Sequence, residues 1–247
     1  MYMKVNLKHI LGIGSVFFAG LLLSSCEKSF DEKTTQDRNI GDQSGVVQVY
    51  IATVGAARNY VFVDGIPQNG SALSAGSVFP SVGYGFVVPM GQRVFQVRDT
   101  LKTTTQVPIS FDNVLEYGKN YTIFTFDTIT AVKQRTVATT ITIPEDTSCR
   151  VRFAHFAYST AAMPNVDIYS FKRMGNIFTN VSPTSIGSYI AFPSRLSDTL
   201  QVREAGTSTV LAQLNGFLGT DKRSYTLIYR GSHRVAAGRF LSSFVNY

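Results

Sequence analysis

Few side chains in this 247-residue sequence carry the chemistry of a reaction, and those few are scattered. The thiols are Cys26 and Cys149, and the imidazoles are His9, His155 and His233. None of these has the spacing of a zinc site, and no Gly-x-Ser-x-Gly elbow or phosphate-binding glycine loop occurs. Asp31-Glu32 and Glu145-Asp146 are adjacent carboxylates in polar stretches, where solvated charge explains them better than acid/base work. No catalytic residue, metal ligand or cofactor motif is therefore assigned, and the chain reads as a non-enzyme. Arg230, His233, Arg234 and Arg239 gather near the C-terminus as a candidate anion-binding edge, or as charge that keeps a strand edge solvated. Tyr84 and Phe86 lie shortly before Pro89, and Tyr189 and Phe192 shortly before Pro193. Loop-edge rings of this kind can stack on sugars, but alternate spacing makes them chiefly core residues.

The N-terminus has a basic stretch with Lys4 and Lys8, an apolar run from Ile10 to Leu23, then Leu23-Ser24-Ser25-Cys26. That order is a secretory signal, and a run of about 14 residues falls short of the roughly 20 that a membrane-spanning helix needs. Leu-Ser-Ser-Cys resembles the lipobox of bacterial lipoproteins. The resemblance implies cleavage after Ser25 and acylation of Cys26, a palmitate-type anchor. Two or three acyl chains, each contributing about 0.8 kcal/mol per buried methylene, would hold the protein on a membrane. Glu27-Lys28 after the cysteine resembles the sorting pattern for the outer membrane of a Gram-negative bacterium. With Cys26 acylated, Cys149 has no partner for an internal disulfide and reads as a small, partly buried residue at a strand start.

Removing Lys4 and Lys8 leaves 21 Lys and Arg against 16 Asp and Glu, a net charge of +5 without a dense basic run. Nucleic acid is not an indicated partner. Residues 26–45 are polar and read as a flexible tether, able to reach on the order of 25 Å as a coil. Beyond it, Val, Ile, Thr, Tyr and Phe come in short runs separated by Gly, Pro, Asn, Asp and Ser. No 3.6-residue apolar period is sustained, which predicts an all-β chain. Val47-Gln48-Val49-Tyr50-Ile51 and Phe95-Gln96-Val97-Arg98 alternate as strands do with one face on a core and the other in water.

An internal repeat organises the rest. Val47-Gln48-Val49 matches Val151-Arg152-Phe153, and Val82-Gly83 with Pro89 matches Ile186-Gly187 with Pro193, both at offset 104. Phe95-Gln96-Val97-Arg98-Asp99 matches Leu200-Gln201-Val202-Arg203-Glu204 at offset 105, and Asn120-Tyr121-Thr122-Ile123 matches Ser224-Tyr225-Thr226-Leu227 at offset 104. The expectation is two tandem β-sandwich modules, 46–143 and 149–247, joined across Pro144-Glu145-Asp146-Thr147 and packed or stacked end to end.

Arg152-Phe153-Ala154-His155, then Pro164-Asn165-Val166-Asp167-Ile168-Tyr169, then Leu200-Gln201-Val202-Arg203 resemble, in that order, the family called domain of unknown function 4397 (DUF4397). The resemblance implies immunoglobulin- or transthyretin-like sandwiches, often in tandem on secreted or lipid-anchored bacterial proteins, and no known activity. In the first copy the place of His155 is taken by Ile51 and that of Asp167 by Tyr60. The joint loss suggests that His155 and Asp167 form a polar pair in the second copy, His155 facing inward like Val151 and Phe153. Asp99-Thr100-Leu101, Asp127-Thr128-Ile129 and Asp198-Thr199-Leu200 resemble an acceptor pattern for periplasmic O-glycosylation.

These observations predict a non-enzymatic, lipid-anchored envelope protein that binds a glycan, a polymer or a protein through loops at the module ends. The alternative is a structural or assembly subunit that meets another envelope protein by its strand edges. A hydrolase with an unfamiliar site is the remaining possibility.

Overall fold

A computed structural model describes residues 43–139, 141 and 143–247. The signal segment, Cys26 and nearly all of the expected tether lie outside the described residues. Among those described there is no α-helix, and they fall within one compact unit. The architecture is all-β and sandwiched.

The first half contains β1 (Ser44–Ile51), β2 (Tyr60–Val63), β3 (Ile66–Pro67), β4 (Val78–Phe79), β5 (Phe86–Pro89), β6 (Gly91–Arg98), β7 (Ile109–Leu115), β8 (Asn120–Phe126) and β9 (Lys133–Thr139). One sheet runs β4-β1-β8-β9, with β5 also paired to β1, and the other runs β3-β2-β6-β7. The second half contains β10 (Cys149–Tyr158), β11 (Val166–Ser170), β12 (Gly175–Val181), β13 (Ile190–Phe192), β14 (Ser197–Glu204), β15 (Val210–Leu218), β16 (Ser224–Ser232) and β17 (Arg239–Val245). Its sheets run β13-β10-β16-β17 and β12-β11-β14-β15. Each half has one parallel pair, β1 with β8 and β10 with β16. The 104-residue spacing reappears in the register, with Val47 opposite Tyr121 and Val151 opposite Tyr225.

Side-chain alternation decides which faces meet. Val47, Val49 and Ile51 of β1 turn toward Val61, Val63, Phe95 and Val97 of the β3-β2-β6-β7 sheet and close the first core. Val151, Phe153, Leu227 and Tyr229 meet Val166, Ile168, Leu200 and Val202 in the second. The opposite faces of β1, β8, β10 and β16 close a third core from Tyr50, Ala52, Phe124, Ala154, Phe156, Ile228 and Phe244. The fold is thus four sheets deep, and the central strands β1, β8, β10 and β16 of the two middle sheets are largely buried on both faces. The halves pack face to face rather than end to end.

This corrects the solvent-facing reading of the alternation in β1. Gln48 and Tyr50 face the other half, not water. The amide of Gln48 donates to the Val245 carbonyl (2.8 Å) and accepts from Asn246 Nδ2 (2.8 Å), while the Tyr50 hydroxyl bonds Ser242 (3.2 Å). Polar residues sit in a buried seam because they satisfy one another across it. The strand also begins two residues early for a tether ending at residue 45. Ser44 pairs with Pro89 and Gly45 with Val88, because β5 extends far enough to partner them. Gly45 fits there because a Cβ would press on the Tyr121 ring.

Candidate functional site

The two residues expected to pair are both buried but lie in different sheets. His155 on β10 is fully buried and faces the second core, stacked near Phe153 (6.4 Å) and Tyr229 (5.3 Å). Its Nδ1 lies 3.4 Å from the Val181 carbonyl, and no partner is seen for Nε2 among the described residues. Burial pushes its pKa down to about 4, so the ring is neutral. Asp167 lies on β11 in the other sheet, alternating with the core residues Val166 and Ile168, and therefore points away from that core. Its carboxylate accepts from the Asn180 and Gly206 backbone amides (2.7 and 3.0 Å) and from Asn176 Nδ2 (3.0 Å). The proposed His155–Asp167 pair does not form, because strand parity puts a sheet between the two groups.

Asp167 instead fixes backbone. Between Val166 and Tyr169 the register of β11 against β12 shifts, and the carboxylate ties that irregularity to the turn between β14 and β15. In the first half, Tyr60 takes this place opposite Arg98, as Asp167 does opposite Arg203. There the neighbouring strand β3 is two residues long and has no bulge to hold.

The candidate anion-binding edge is not assembled either. Arg230 faces the seam, where its Nε donates to the Tyr50 hydroxyl and to Ser242 (both 3.1 Å) and its guanidinium covers Phe240 (4.6 Å). Gly76, at φ +93°, leaves room for that guanidinium, which a Cβ would strike. Arg239 Nε donates to the His233 carbonyl (2.6 Å), and His233 Nδ1 shares a hydrogen bond with the Tyr229 hydroxyl (2.9 Å). Of the four, Arg234 alone is exposed. Strand alternation turns Arg230 into the seam, so it leaves the group, while Arg239 and Arg234 stay close to His233.

Cys149 is buried with its thiol toward the Phe192 carbonyl (3.4 Å), and burial pushes its pKa up to about 11, far from a reactive thiolate. Phe86 and Phe192 pack on the cores, whereas Tyr84 and Tyr189 sit in the seam. Tyr84 stacks on Tyr247 (5.2 Å), and Tyr189 bonds Asn246 (3.0 Å) beneath the guanidinium of Arg152 (4.9 Å). Arg152 is 2% exposed and is held by the hydroxyls of Thr226, Thr139 and Thr122 (2.8, 2.9 and 3.0 Å). The cavity beside it, lined by Gln48, Thr122, Tyr189 and Asn246 among others, measures about 10 Å³, at most a single water.

An open, polar surface lies on the outer face of the β12-β11-β14-β15 sheet. Here Tyr169, Gln201 and Gln213 stand in one row across β11, β14 and β15. Arg203 lies over the Tyr169 ring at 3.6 Å and donates through Nε and Nη2 to Gln201 Oε1 (3.0 and 2.8 Å). Gln201 Nε2 then donates to Gln213 Oε1 (2.7 Å), and Gln213 Nε2 to Asn215 Oδ1. At one end the turn between β11 and β12 presents Phe171, 49% exposed and edge-on to Tyr169 (5.5 Å). Asp198 anchors that turn by accepting from the Lys172 amide (3.0 Å) and the Ser170 hydroxyl. Phe171, Lys172, Ser197, Asp198, Thr199 and Gln213 line an open groove of about 570 Å³. Planar amides, a guanidinium and an exposed ring can together bond hydroxyls and cover C–H faces. Among the described residues no group of three His, Cys, Asp or Glu side chains could hold a metal ion.

The sequence motif Leu-Gln-Val-Arg marked Gln201 and Arg203 as part of a repeat but not as a surface. Phe171 and Lys172 were not singled out, since an aromatic in a turn has no periodic signature.

No protein-family model and no curated protein matches the chain. Among solved structures it is similar to a Bacteroides thetaiotaomicron protein of the DUF1812 group, described there as a proposed polysaccharide-binding protein. Identity is 14% and the TM-score 0.24, over 81% of this chain and 95% of that one. A likeness at that level carries no argument about fold or ligand, so function is read from the residues.

Proposed function

We propose that this chain is a non-enzymatic binding protein of the bacterial cell envelope, held by lipid on Cys26 at the outer membrane, and that its ligand is a glycan. The observation that carries the reading is the row Tyr169–Arg203–Gln201–Gln213–Asn215 on a solvent face, with Phe171 exposed at its end. A sugar ring offers a C–H face that packs on an aromatic and a rim of hydroxyls that bond planar amides. An open groove suits a length of polymer better than an enclosed pocket would. The site lies on a sheet face and one hairpin turn, a different place from the module-end loops expected from the sequence. The membership in DUF4397-like tandem modules suggested by the sequence motifs belongs to the same proposal.

A glycan-array screen of the whole chain tests it. Phe171→Ala together with Gln213→Ala should weaken every positive signal by about tenfold or more, which corresponds to about 1.4 kcal/mol. Unchanged signals in that variant would overturn the assignment of the face.

A further inference from the structure

The internal repeat carries the same outward constellation twice. In the second half Tyr169 stands opposite Gln201, with Arg203 over the ring at 3.6 Å. In the first, Phe62 stands opposite Gln96, with Arg98 over the ring at 4.6 Å. Both sets lie on the second and third strands of equivalent sheets. Val61, Val97, Ile168 and Val202 face the cores, so Phe62, Gln96, Arg98, Tyr169, Gln201 and Arg203 all face outward. Core packing explains the inward match, but it places no demand on an arginine and a glutamine on the outside. The seam repeats only in part, since Thr122 matches Thr226 but Gln48 stands where its counterpart is Arg152.

Resting on the glycan reading above, we infer that the outer face of β3-β2-β6-β7 is a second glycan site, centred on Phe62, Gln96 and Arg98, and that the chain is bivalent. The second site is the weaker. Phe62 is more buried than Tyr169, and the turn after β2 has Asp64 and Gly65 where the other half shows Phe171. Exposed Val94, two residues before Gln96 on the same strand, supplies apolar surface on this side. Successive sheets in a stack lie about 10 Å apart, so the two outer faces are separated by on the order of 30 Å of protein. One stretch of polymer cannot lie on both, and occupancy of both joins two strands.

Titration calorimetry of the whole chain with oligomers of dextran, xylan, mannan and alginate, covering neutral and acidic backbones, tests this. Polymer cross-linking is followed in parallel by light scattering. The expected result is two unequal sites and scattering that rises with protein. Arg98→Ala should weaken the weaker site about tenfold, while Phe171→Ala with Arg203→Ala should weaken the tighter one by the same factor. Either change should abolish cross-linking. One site that disappears in Phe171→Ala with Arg203→Ala and ignores Arg98→Ala overturns bivalency and leaves the glycan reading standing. Binding to none of the four probes overturns both.

Discussion

His155 shows how far a single side chain can be read from its neighbours. Its inward direction follows from parity with Val151 and Phe153, and the structure places it there, between Phe153 and Tyr229. Its partner did not follow, because sequence proximity to Asp167 says nothing about which sheet the next strand joins. The buried ring has a measurable consequence. Burial, chiefly, and the nearby charge of His233 hold its pKa at about 4, below the ordinary 6.5, so the fold favours the neutral ring. The unfolded chain takes up this proton once pH falls below about 6.5. Stability should therefore decline from pH 6.5 to about 4 and lose nothing further from this group below 4. A shift of this size is worth on the order of 3 kcal/mol. Urea denaturation at pH 7 and pH 4.5 should show a smaller drop in His155→Ile, the residue type that Ile51 supplies at the equivalent position. An identical drop in both proteins would show that other groups set the acid sensitivity.

At the scale of strands, alternation identified β1 and β6 correctly but could specify only one of the two faces of β1. In β6 the outward residues Gln96 and Arg98 do face solvent. In β1, β8, β10 and β16 the second face carries Gln48, Thr122, Arg152 and Thr226, types that read as solvated, yet all four are buried. Gln48, Thr122 and Arg152 hydrogen-bond across the seam, a property of the pair of sheets that no single strand displays. The same seam holds Phe124 against Phe156 (4.9 Å) and Phe244 (6.2 Å). Phe156→Ala should cost about 3–5 kcal/mol through the cavity it leaves. It should also uncouple the halves, turning one calorimetric unfolding transition into two. A single transition at wild-type temperature would mean that the seam contributes little.

At the largest scale the described residues form a stack of four sheets with two outer faces, and in the proposed reading a lipid-bearing tether leads into β1. The all-β class and the two-fold repetition were legible in composition and spacing. The face-to-face stacking was not, since it depends on Asn246 bonding Gln48 and Arg152 bonding Thr139 and Thr122 across the seam. The central claim concerns the outermost surface, and amide hydrogen exchange on the whole chain, with and without the glycan selected on an array, tests it most directly. The account predicts new protection over residues 166–176 and 197–215, the strands and turn that carry Tyr169, Phe171, Gln201 and Gln213. Protection confined to the seam strands, or to the loops at the ends of the sheets, would contradict it.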